Sequence, residues 1–295
     1  MTDAILKAAL LQRAVGPDRE ENLAATCAAI EEAAGTGARL VLLQELFATP
    51  YFCQDEDPGC FDLAESIPGP TSRRLAALAK GLGVVIVAPL FERRATGLYH
   101  NSAIVLDSDG SLAGIYRKMH IPDDPGYYEK FYFTPGDGSF RPIATRVGRL
   151  GVLICWDQWF PEAARLMALA GADLLLYPTA IGWDPRDEEE ERTRQLEAWR
   201  MVQRGHAVAN ALPLLSCNRT GRETGPGREP GIHFWGASFA CGPQGEILAE
   251  APCEGDHLLR VDIDLGRTES VRRIWPFLRD RRIDAYGELA RCWRD

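Results

Sequence analysis

The sequence predicts an α/β protein in which helices cover two packed mixed sheets, a four-layer α-β-β-α sandwich. Helical and strand patterns alternate along the 295 residues, and 46% of the residues are hydrophobic, which is enough for a sizeable core. Two hairpins of similar length each turn through a glycine, which indicates two related halves that each supply one sheet. Since no segment resembles a linker, we expect a single domain over residues 1–295.

The first half of the chain alternates helical periodicity with short apolar runs. An alanine-rich periodic stretch stops at Gly35 and Gly37, which are typical helix-ending residues. A glycine turn at Asp107–Gly110 separates two strand-like segments and predicts a hairpin. In order, the predicted elements are a helix over 20–34, a strand over 39–44, a helix over 71–81, and strands over 84–89, 101–106 and 112–117.

The second half repeats this alternation. Pro161 begins a helix that ends near Gly171, with proline at the start and glycine past the end. The glycine-rich segment 219–231 is predicted to be a mobile loop. The other predicted elements are strands over 149–155, 174–177 and 212–217, a helix around 187–209, and a second hairpin over 237–241 and 246–249 around the turn 242–245.

Charge and composition exclude several classes of partner. A net charge of -9 argues against nucleic acid and against anionic membranes. The sequence contains neither a signal-peptide pattern nor an apolar run of the ~18 residues that a membrane helix needs. The eight cysteines form no Cys-x-x-Cys pair and the histidines have no ligand spacing, so we expect free thiols, a cytoplasmic protein and no metal.

Three polar residues each end a separate apolar run. They are Glu45, Lys118 and Cys155, and the carboxyl ends of strands are where sites form in α/β sheets. Singly, each has an ordinary explanation: an exposed glutamate, a surface lysine or a small buried thiol. Together they supply the general base, the cation for an oxyanion and the nucleophile that acyl transfer requires. The helix beginning at Pro161 would add a positive field near the thiol if the turn folds back.

Other acidic and basic residues support secondary predictions. Glu129 lies among aromatic residues, so it is either a buried supporting carboxylate or an ordinary loop residue. The loop residues Asp123, Asp124 and Asp184 could receive a cationic substrate tail, although turn formation explains each one singly. The basic run 272–282 is interleaved with aromatic residues, and we expect the C-terminal segment 266–295 to make subunit contacts.

These residues lie in stretches that resemble the nitrilase superfamily of carbon–nitrogen hydrolases, and within it the N-carbamoylputrescine amidase branch. The likeness runs over nearly the whole chain. Its most specific part surrounds Cys155. The matching stretches are Gln-Glu-Leu-Phe at 44–47, Pro-Tyr-Phe-Cys-Gln at 50–54, His-Ile-Pro-Asp at 120–123, Glu-Lys-Phe-Tyr-Phe at 129–133, Cys-Trp-Asp-Gln-Trp-Phe-Pro-Glu at 155–162, Tyr-Pro-Thr-Ala-Ile-Gly at 177–182 and Arg-Asp-Arg-Arg at 279–282.

The resemblance implies the four-layer nitrilase-like sandwich, no metal or organic cofactor, and a homo-oligomer built from dimers. It implies that Glu45 is the general base, Lys118 the oxyanion donor, Cys155 the nucleophile and Glu129 a second, supporting glutamate, with the backbone N–H of Trp156 as the other oxyanion donor. The residues expected to bind substrate are Tyr51, His120, Asp123, Trp156 and Asp184.

The implied activity is hydrolysis of a small carbamoyl amine, N-carbamoylputrescine, in the cytoplasm. Alternatives are a carbamoylase acting on an N-carbamoyl amino acid, an amidase of aliphatic amides, and an inactive binding scaffold. The sequence departs from the family pattern at Trp183-Asp184-Pro185, where Ser-Glu-Pro is frequent, and in the glycine-rich segment 219–231. Both departures concern the choice of substrate rather than the chemistry at the thiol.

Overall fold

A computed structural model of the chain describes residues 5–225 and 228–294. The ends of the predicted domain 1–295 therefore lie outside the described residues. The helices are α1 (Arg19–Gly35), α2 (Pro70–Leu82), α3 (Glu129–Tyr132), α4 (Pro161–Leu169), α5 (Glu189–Asn210) and α6 (Gly266–Ile274). The strands are β1 (Ile5–Gln12), β2 (Leu40–Leu43), β3 (Val85–Ala95), β4 (Leu98–Leu106), β5 (Leu112–Arg117), β6 (Ile143–Thr145), β7 (Gly148–Val152), β8 (Leu174–Thr179), β9 (Gly182–Trp183), β10 (Leu214–Asn218), β11 (Thr220–Gly225), β12 (Arg228–Trp235), β13 (Phe239–Cys241), β14 (Ile247–Glu250) and β15 (His257–Asp264).

Two six-stranded mixed sheets form the centre of the fold. The first has the order β15-β1-β2-β3-β4-β5 and the second has the order β14-β13-β10-β8-β7-β6. Each has a parallel middle, made by β1-β2-β3 in one sheet and β7-β8-β10 in the other, with antiparallel neighbours outside. Taken from β15 and from β6, the two sheets show the same succession of pairing directions. The expectation of two related halves is therefore confirmed, except that β15 from the second half completes the first sheet.

The alternation of side chains along the strands builds the layers. In β2, Leu40 and Leu42 enter the large core that contains side chains of both sheets, whereas Val41 and Leu43 face α1 and α2. All four β2 side chains are buried, as expected of a central parallel strand covered on both faces. On the second sheet, α4 and α5 contribute side chains such as Met167 to the core. The predicted α/β fold with two mixed sheets is confirmed.

Local sequence explains where several helices begin. The Asp18 side chain accepts a hydrogen bond from the backbone N–H of Glu21 and so caps α1, whose first turn is acidic. Pro161 occupies the first position of α4, where its missing N–H costs no helical hydrogen bond. Both predicted hairpins are present as antiparallel pairs, β4 with β5 and β13 with β14.

Two sequence predictions need correction. The strand predicted over 149–155 ends at Val152, and Cys155 begins a 3₁₀ turn that extends to Trp159. The segment predicted to be a mobile loop forms β11 and β12, and Arg219 at its start is fully buried; residues 226 and 227 lie outside the described residues. The strands β1 and β15, which pair although they lie near opposite ends of the sequence, were not predicted.

Among the residues that the structure describes, none of the helices has the length and apolar character needed to span a membrane.

Candidate active site

A strained turn carries Cys155. The residue has a φ of 41°, a conformation that residues other than glycine rarely adopt. Its backbone is held by Asp157, which accepts hydrogen bonds from the N–H of Ile154 at 2.9 Å and from the hydroxyl of Tyr116 at 2.7 Å. Because strain of this kind persists only where the surroundings enforce it, the turn indicates a functional position for the thiol. The thiol itself is buried and lies 3.8 Å from the carbonyl oxygen of Ala180.

His120 contacts this turn through Asp157. The other oxygen of Asp157 lies 3.0 Å from the backbone nitrogen of His120 and 2.7 Å from its ring Nδ1. The imidazole also stacks on Phe160, with ring centroids 3.8 Å apart. His120 is thus placed beside the nucleophile turn, and it is not among the residues that line the pocket described below.

A buried lysine joins two carboxylates beside the thiol. The Nζ atom of Lys118 donates to Oε1 of Glu45 at 2.9 Å and to Oε2 of Glu129 at 2.6 Å, and all three side chains are 0% exposed. Asn101 donates a second hydrogen bond to Oε1 of Glu45 at 2.7 Å, and the hydroxyl of Tyr51 donates to Glu129 at 2.7 Å. Within the described part of the chain, Oε2 of Glu45 has no hydrogen-bond partner, which leaves it able to accept a proton.

The electrostatics of the cluster follow from burial and from its unequal charges. Burial by itself would lower the pKa of Lys118, but the two carboxylates outweigh it and raise that pKa well above its ordinary value. Burial raises the pKa of Glu129 to about 7, with Lys118 opposing the shift and Glu45 adding to it. Burial, followed by the negative charge of Glu45, raises the pKa of the Cys155 thiol, while Lys118 opposes the rise. Cys155 is therefore a protonated thiol at neutral pH, and its ionisation would require a base.

The main causes of the Cys155 pKa shift are burial and the charges of Glu45, Lys118 and Glu129, so the thiol lies close enough to these three groups for their charges to act on it. The structure thus brings together the four residues that the resemblance implied to be catalytic. The positive field expected from the helix at Pro161 stays a prediction.

A pocket of about 420 Å³ opens onto Cys155. Aromatic side chains form much of its wall, including Trp156, Trp159 and Trp235. Three aspartates also line it: Asp124, Asp184 and Asp187. Among the described residues of this wall there is neither a lysine nor an arginine. The pocket therefore combines a thiol at one point with apolar walls and an excess of negative charge, a composition suited to a small cationic ligand.

Only two of the five residues expected to bind substrate line the pocket. Trp156 and Asp184 line the pocket, and Asp184 also forms a two-point ion pair with Arg186, with distances of 2.9 and 2.5 Å. Tyr51 instead supports Glu129 and is buried, outside the pocket wall. Asp123 is exposed, and it is the adjacent Asp124 that reaches the wall.

Several contacts at the site were not foreseen from the sequence. Asn101 begins the strand predicted over 101–106, and no role was predicted for it, although a polar residue at the start of a mainly apolar strand was an available signal. Asp157 and Trp235 were likewise not singled out as site residues. Across the residues that the structure describes, no group of three or more histidine, cysteine or acidic side chains could hold a metal ion.

A two-sheet sandwich with a buried cysteine, a lysine and two carboxylates at one site is the arrangement of a hydrolase that acts on carbon–nitrogen bonds. The family model of carbon-nitrogen hydrolases matches residues 7–273, and the chain belongs to this family. It is a carbon–nitrogen hydrolase.

Individual relatives are similar over nearly their whole length. An N-carbamoylputrescine amidase of Arabidopsis thaliana is 47% identical, over 95% of this chain and 93% of the relative. A citrullinase of Francisella tularensis is 41% identical, over 98% of this chain and 99% of the relative. A solved carbon-nitrogen hydrolase structure from Helicobacter pylori G27 has 52% identity and a TM-score of 0.96, covering 98% of this chain and 100% of that one.

The raised pKa of Glu129 predicts a pH-dependent contribution to stability. Between the ordinary carboxyl pKa and about 7, the native state holds a proton that the unfolded chain has lost, so this contribution falls as the pH rises. Between about pH 5.5 and about pH 7, the unfolding free energy of the wild type should fall by about 2 kcal/mol relative to that of Glu129→Gln. Urea unfolding at both pH values measures the difference, with Glu56→Gln at an exposed position as the control. A pH-independent difference would contradict the prediction.

Proposed function

We propose that the chain hydrolyses N-carbamoylputrescine to putrescine, carbon dioxide and ammonia. The observation that carries the proposal is the buried Lys118–Glu45–Glu129 cluster beside Cys155, which opens on a pocket lined by aspartates. The cluster supplies the chemistry of carbon–nitrogen hydrolysis, and the pocket supplies the preference for a cationic tail. The similarity to plant N-carbamoylputrescine amidases supports the same substrate.

The first half of the reaction forms a bond between the thiol and the carbamoyl carbon. The unpaired Oε2 of Glu45 takes the proton of Cys155, and the thiolate attacks that carbon. The electron pair of the carbonyl moves onto oxygen, where Lys118 and the N–H of Trp156 stabilise the negative charge. One such donor is worth about 3 kcal/mol in related chemistry. The bond to the terminal nitrogen then breaks, and Glu45 protonates the departing ammonia.

The second half consumes one water molecule. Glu45, again unprotonated, takes a proton from the water, which attacks the carbamoyl thioester. The carbon–sulfur bond breaks, Cys155 recovers its proton, and the product is an N-carboxy amine that decomposes to carbon dioxide and putrescine. Glu129 touches neither bond. Its role is to hold Lys118 as a cation directed at the oxyanion, in a cluster where Tyr51 in turn fixes Glu129.

The distal part of the pocket favours an amine over a carboxylate. Asp124, Asp184 and Asp187 contribute negative charge, and the described wall contains no cation to receive a carboxylate. An N-carbamoyl amino acid such as citrulline carries both groups, so its carboxylate would be buried against like charges. This argues for the carbamoyl amine over the carbamoylase alternative, although one relative is a citrullinase.

Replacing the nucleophile tests the chemistry. Cys155→Ala should abolish ammonia release from N-carbamoylputrescine, and the rapidly quenched wild type should carry a covalent adduct on Cys155 by mass spectrometry. Cys217→Ala, which removes another buried thiol, is the matched control and should keep its turnover. Ammonia release that survives in Cys155→Ala, or an adduct on a different cysteine, would refute the assignment. Absence of turnover by the wild type on all carbamoyl compounds and amides would favour the inactive scaffold.

Neutralising the pocket carboxylate tests the substrate. Asp184→Asn should raise KM about tenfold for N-carbamoylputrescine, a loss of about 1.4 kcal/mol in binding, and leave KM for neutral aliphatic amides nearly unchanged. Asp123→Asn, at an exposed position outside the wall, is the control. Steady-state kinetics on a panel of N-carbamoyl amines, N-carbamoyl amino acids and amides measures both effects. An equal loss on charged and neutral substrates would remove the proposed role of Asp184.

The C-terminal segment supports a further proposal, that the chain assembles as a homo-oligomer built from dimers. The segment exposes large apolar side chains, with Ile274 at 77%, Ile283 at 75% and Trp293 at 81%. An open groove of about 640 Å³ lies nearby and is lined partly by Met201 and Phe277. Apolar surface of this extent is typical of protein–protein contacts.

All eight thiols are free, which fits a reducing compartment and supports the cytoplasm as the place of action.

Charged substitutions in this segment test assembly. Ile274→Asp and Ile283→Asp should lower the mass measured by light scattering to that of a smaller species, because a buried unpaired carboxylate is costly at a contact. Leu112→Asp changes an exposed leucine on another part of the surface and should leave the mass unchanged. A wild type that is already monomeric would overturn the proposal.

A further inference from the structure

Arg219 is a fully buried cation at the start of the hairpin β11–β12. Its Nη1 donates to Oε1 of Glu223 at 2.7 Å, and its guanidinium lies 5.8 Å from the ring centre of Tyr51 and 5.2 Å from that of Phe234. Replacing a buried ion pair by apolar residues is often neutral or stabilising, so the pair requires an explanation other than stability. That explanation lies in what else the two side chains hold.

The second amino group of Arg219 holds the segment that carries Glu45. Its Nη2 lies 3.0 Å from the carbonyl oxygen of Glu45, 2.9 Å from that of Leu46 and 3.3 Å from that of Thr49. The backbone is strained at this point, since Leu46 has a φ of 48°. Three converging carbonyl groups in a buried turn need a donor, and a planar guanidinium provides several in fixed directions. Arg219 therefore fixes the conformation of the backbone that carries the Glu45 side chain.

Glu223 extends the same set of contacts to Glu129, the second carboxylate of the cluster. Its Oε2 accepts the backbone N–H of Tyr51 at 2.6 Å, and the Tyr51 hydroxyl donates to Glu129 at 2.7 Å. The Arg219–Glu223 pair thus reaches Glu45 through the main chain and Glu129 through Tyr51. These contacts are buried. The side chains that make them are all at most 7% exposed, and they are Arg219, Glu223, Glu45, Tyr51 and Glu129.

The hairpin is also joined to the pocket wall. Strand β12 pairs with β9, so that Phe234 lies opposite Gly182, a residue of the wall. The approach is close, since a Cβ atom at Gly182 would lie 2.3 Å from the carbonyl oxygen of His233. The hairpin therefore connects the substrate pocket on one side with the two carboxylates on the other.

We propose that Arg219 and Glu223 are positioning residues for the reaction, holding Glu45 and Glu129 in the geometry that Lys118 and Cys155 require. This inference rests on the proposed function, because it assumes that Glu45 is the base. Neither residue touches the substrate pocket, so losing the pair should lower the rate of the chemical step and leave substrate binding nearly intact.

Two conservative variants test the pair. Arg219→Lys keeps the charge but cannot serve Glu223 and the carbonyl groups together, and Glu223→Gln keeps the shape but removes the charge. Each should lower kcat at least about thirtyfold with KM changed less than about twofold. The rate at which iodoacetamide alkylates Cys155 should fall in parallel. Arg222→Lys, an exposed arginine on the same strand, is the matched control and should behave as the wild type.

The outcomes separate this inference from the proposed function. Folded variants with wild-type kcat, or with a loss confined to KM, would overturn the positioning role. If Glu223→Gln does not fold by circular dichroism, the pair is a folding element and the inference is equally overturned. A wild type inactive on every carbamoyl compound would instead defeat the proposed function, and the alkylation rates of Cys155 would still decide whether the pair positions the cluster.

Discussion

The structure of the site depends on one buried ammonium shared by two carboxylates. Lys118 can remain charged without water because Glu45 and Glu129 both accept a hydrogen bond from it. Burial is the main cause that raises the pKa of Glu129 to about 7 even beside a lysine, and the charge of Glu45 adds to the rise. Burial, followed by the charge of Glu45, also raises the pKa of the Cys155 thiol, which therefore stays protonated unless a base removes its proton.

This arrangement requires two sheets. Glu45 follows β2 and Lys118 follows β5 in the first sheet, whereas Cys155 follows β7 in the second. A backbone hydrogen bond of 3.4 Å from Glu45 to Thr179, at the end of β8, joins the two sheets at the site. Neither sheet alone carries both Cys155 and Glu45. Packing of the large common core is therefore a condition for chemistry as well as for stability.

Residues and elements that follow from a local sequence pattern could be predicted. Those that depend on pairing between distant parts of the chain could not. Glu45 and Lys118 could be found because each follows an apolar run. The pairing of Ile5 with Asp264 has no local signal, and β15 was missed for that reason. The segment after Asn218 contains many glycines and charges, which normally indicate a loop. It forms strands because buried contacts, above all those of Arg219, compensate for its composition.

Selection of the substrate is separable from this chemistry. Asp184 already holds Arg186 through two short contacts, so a cationic ligand in the pocket would compete with a guanidinium for the same carboxylate. Arg186 is exposed, with its side chain 67% accessible, and an exposed ion pair contributes little free energy. An ammonium group enclosed by the pocket loses more of its hydration than Arg186 does at the surface. Its electrostatic attraction to each carboxylate is correspondingly stronger. Asp124 and Asp187 add further negative charge to the wall, so the combined charge of the wall favours a cationic ligand.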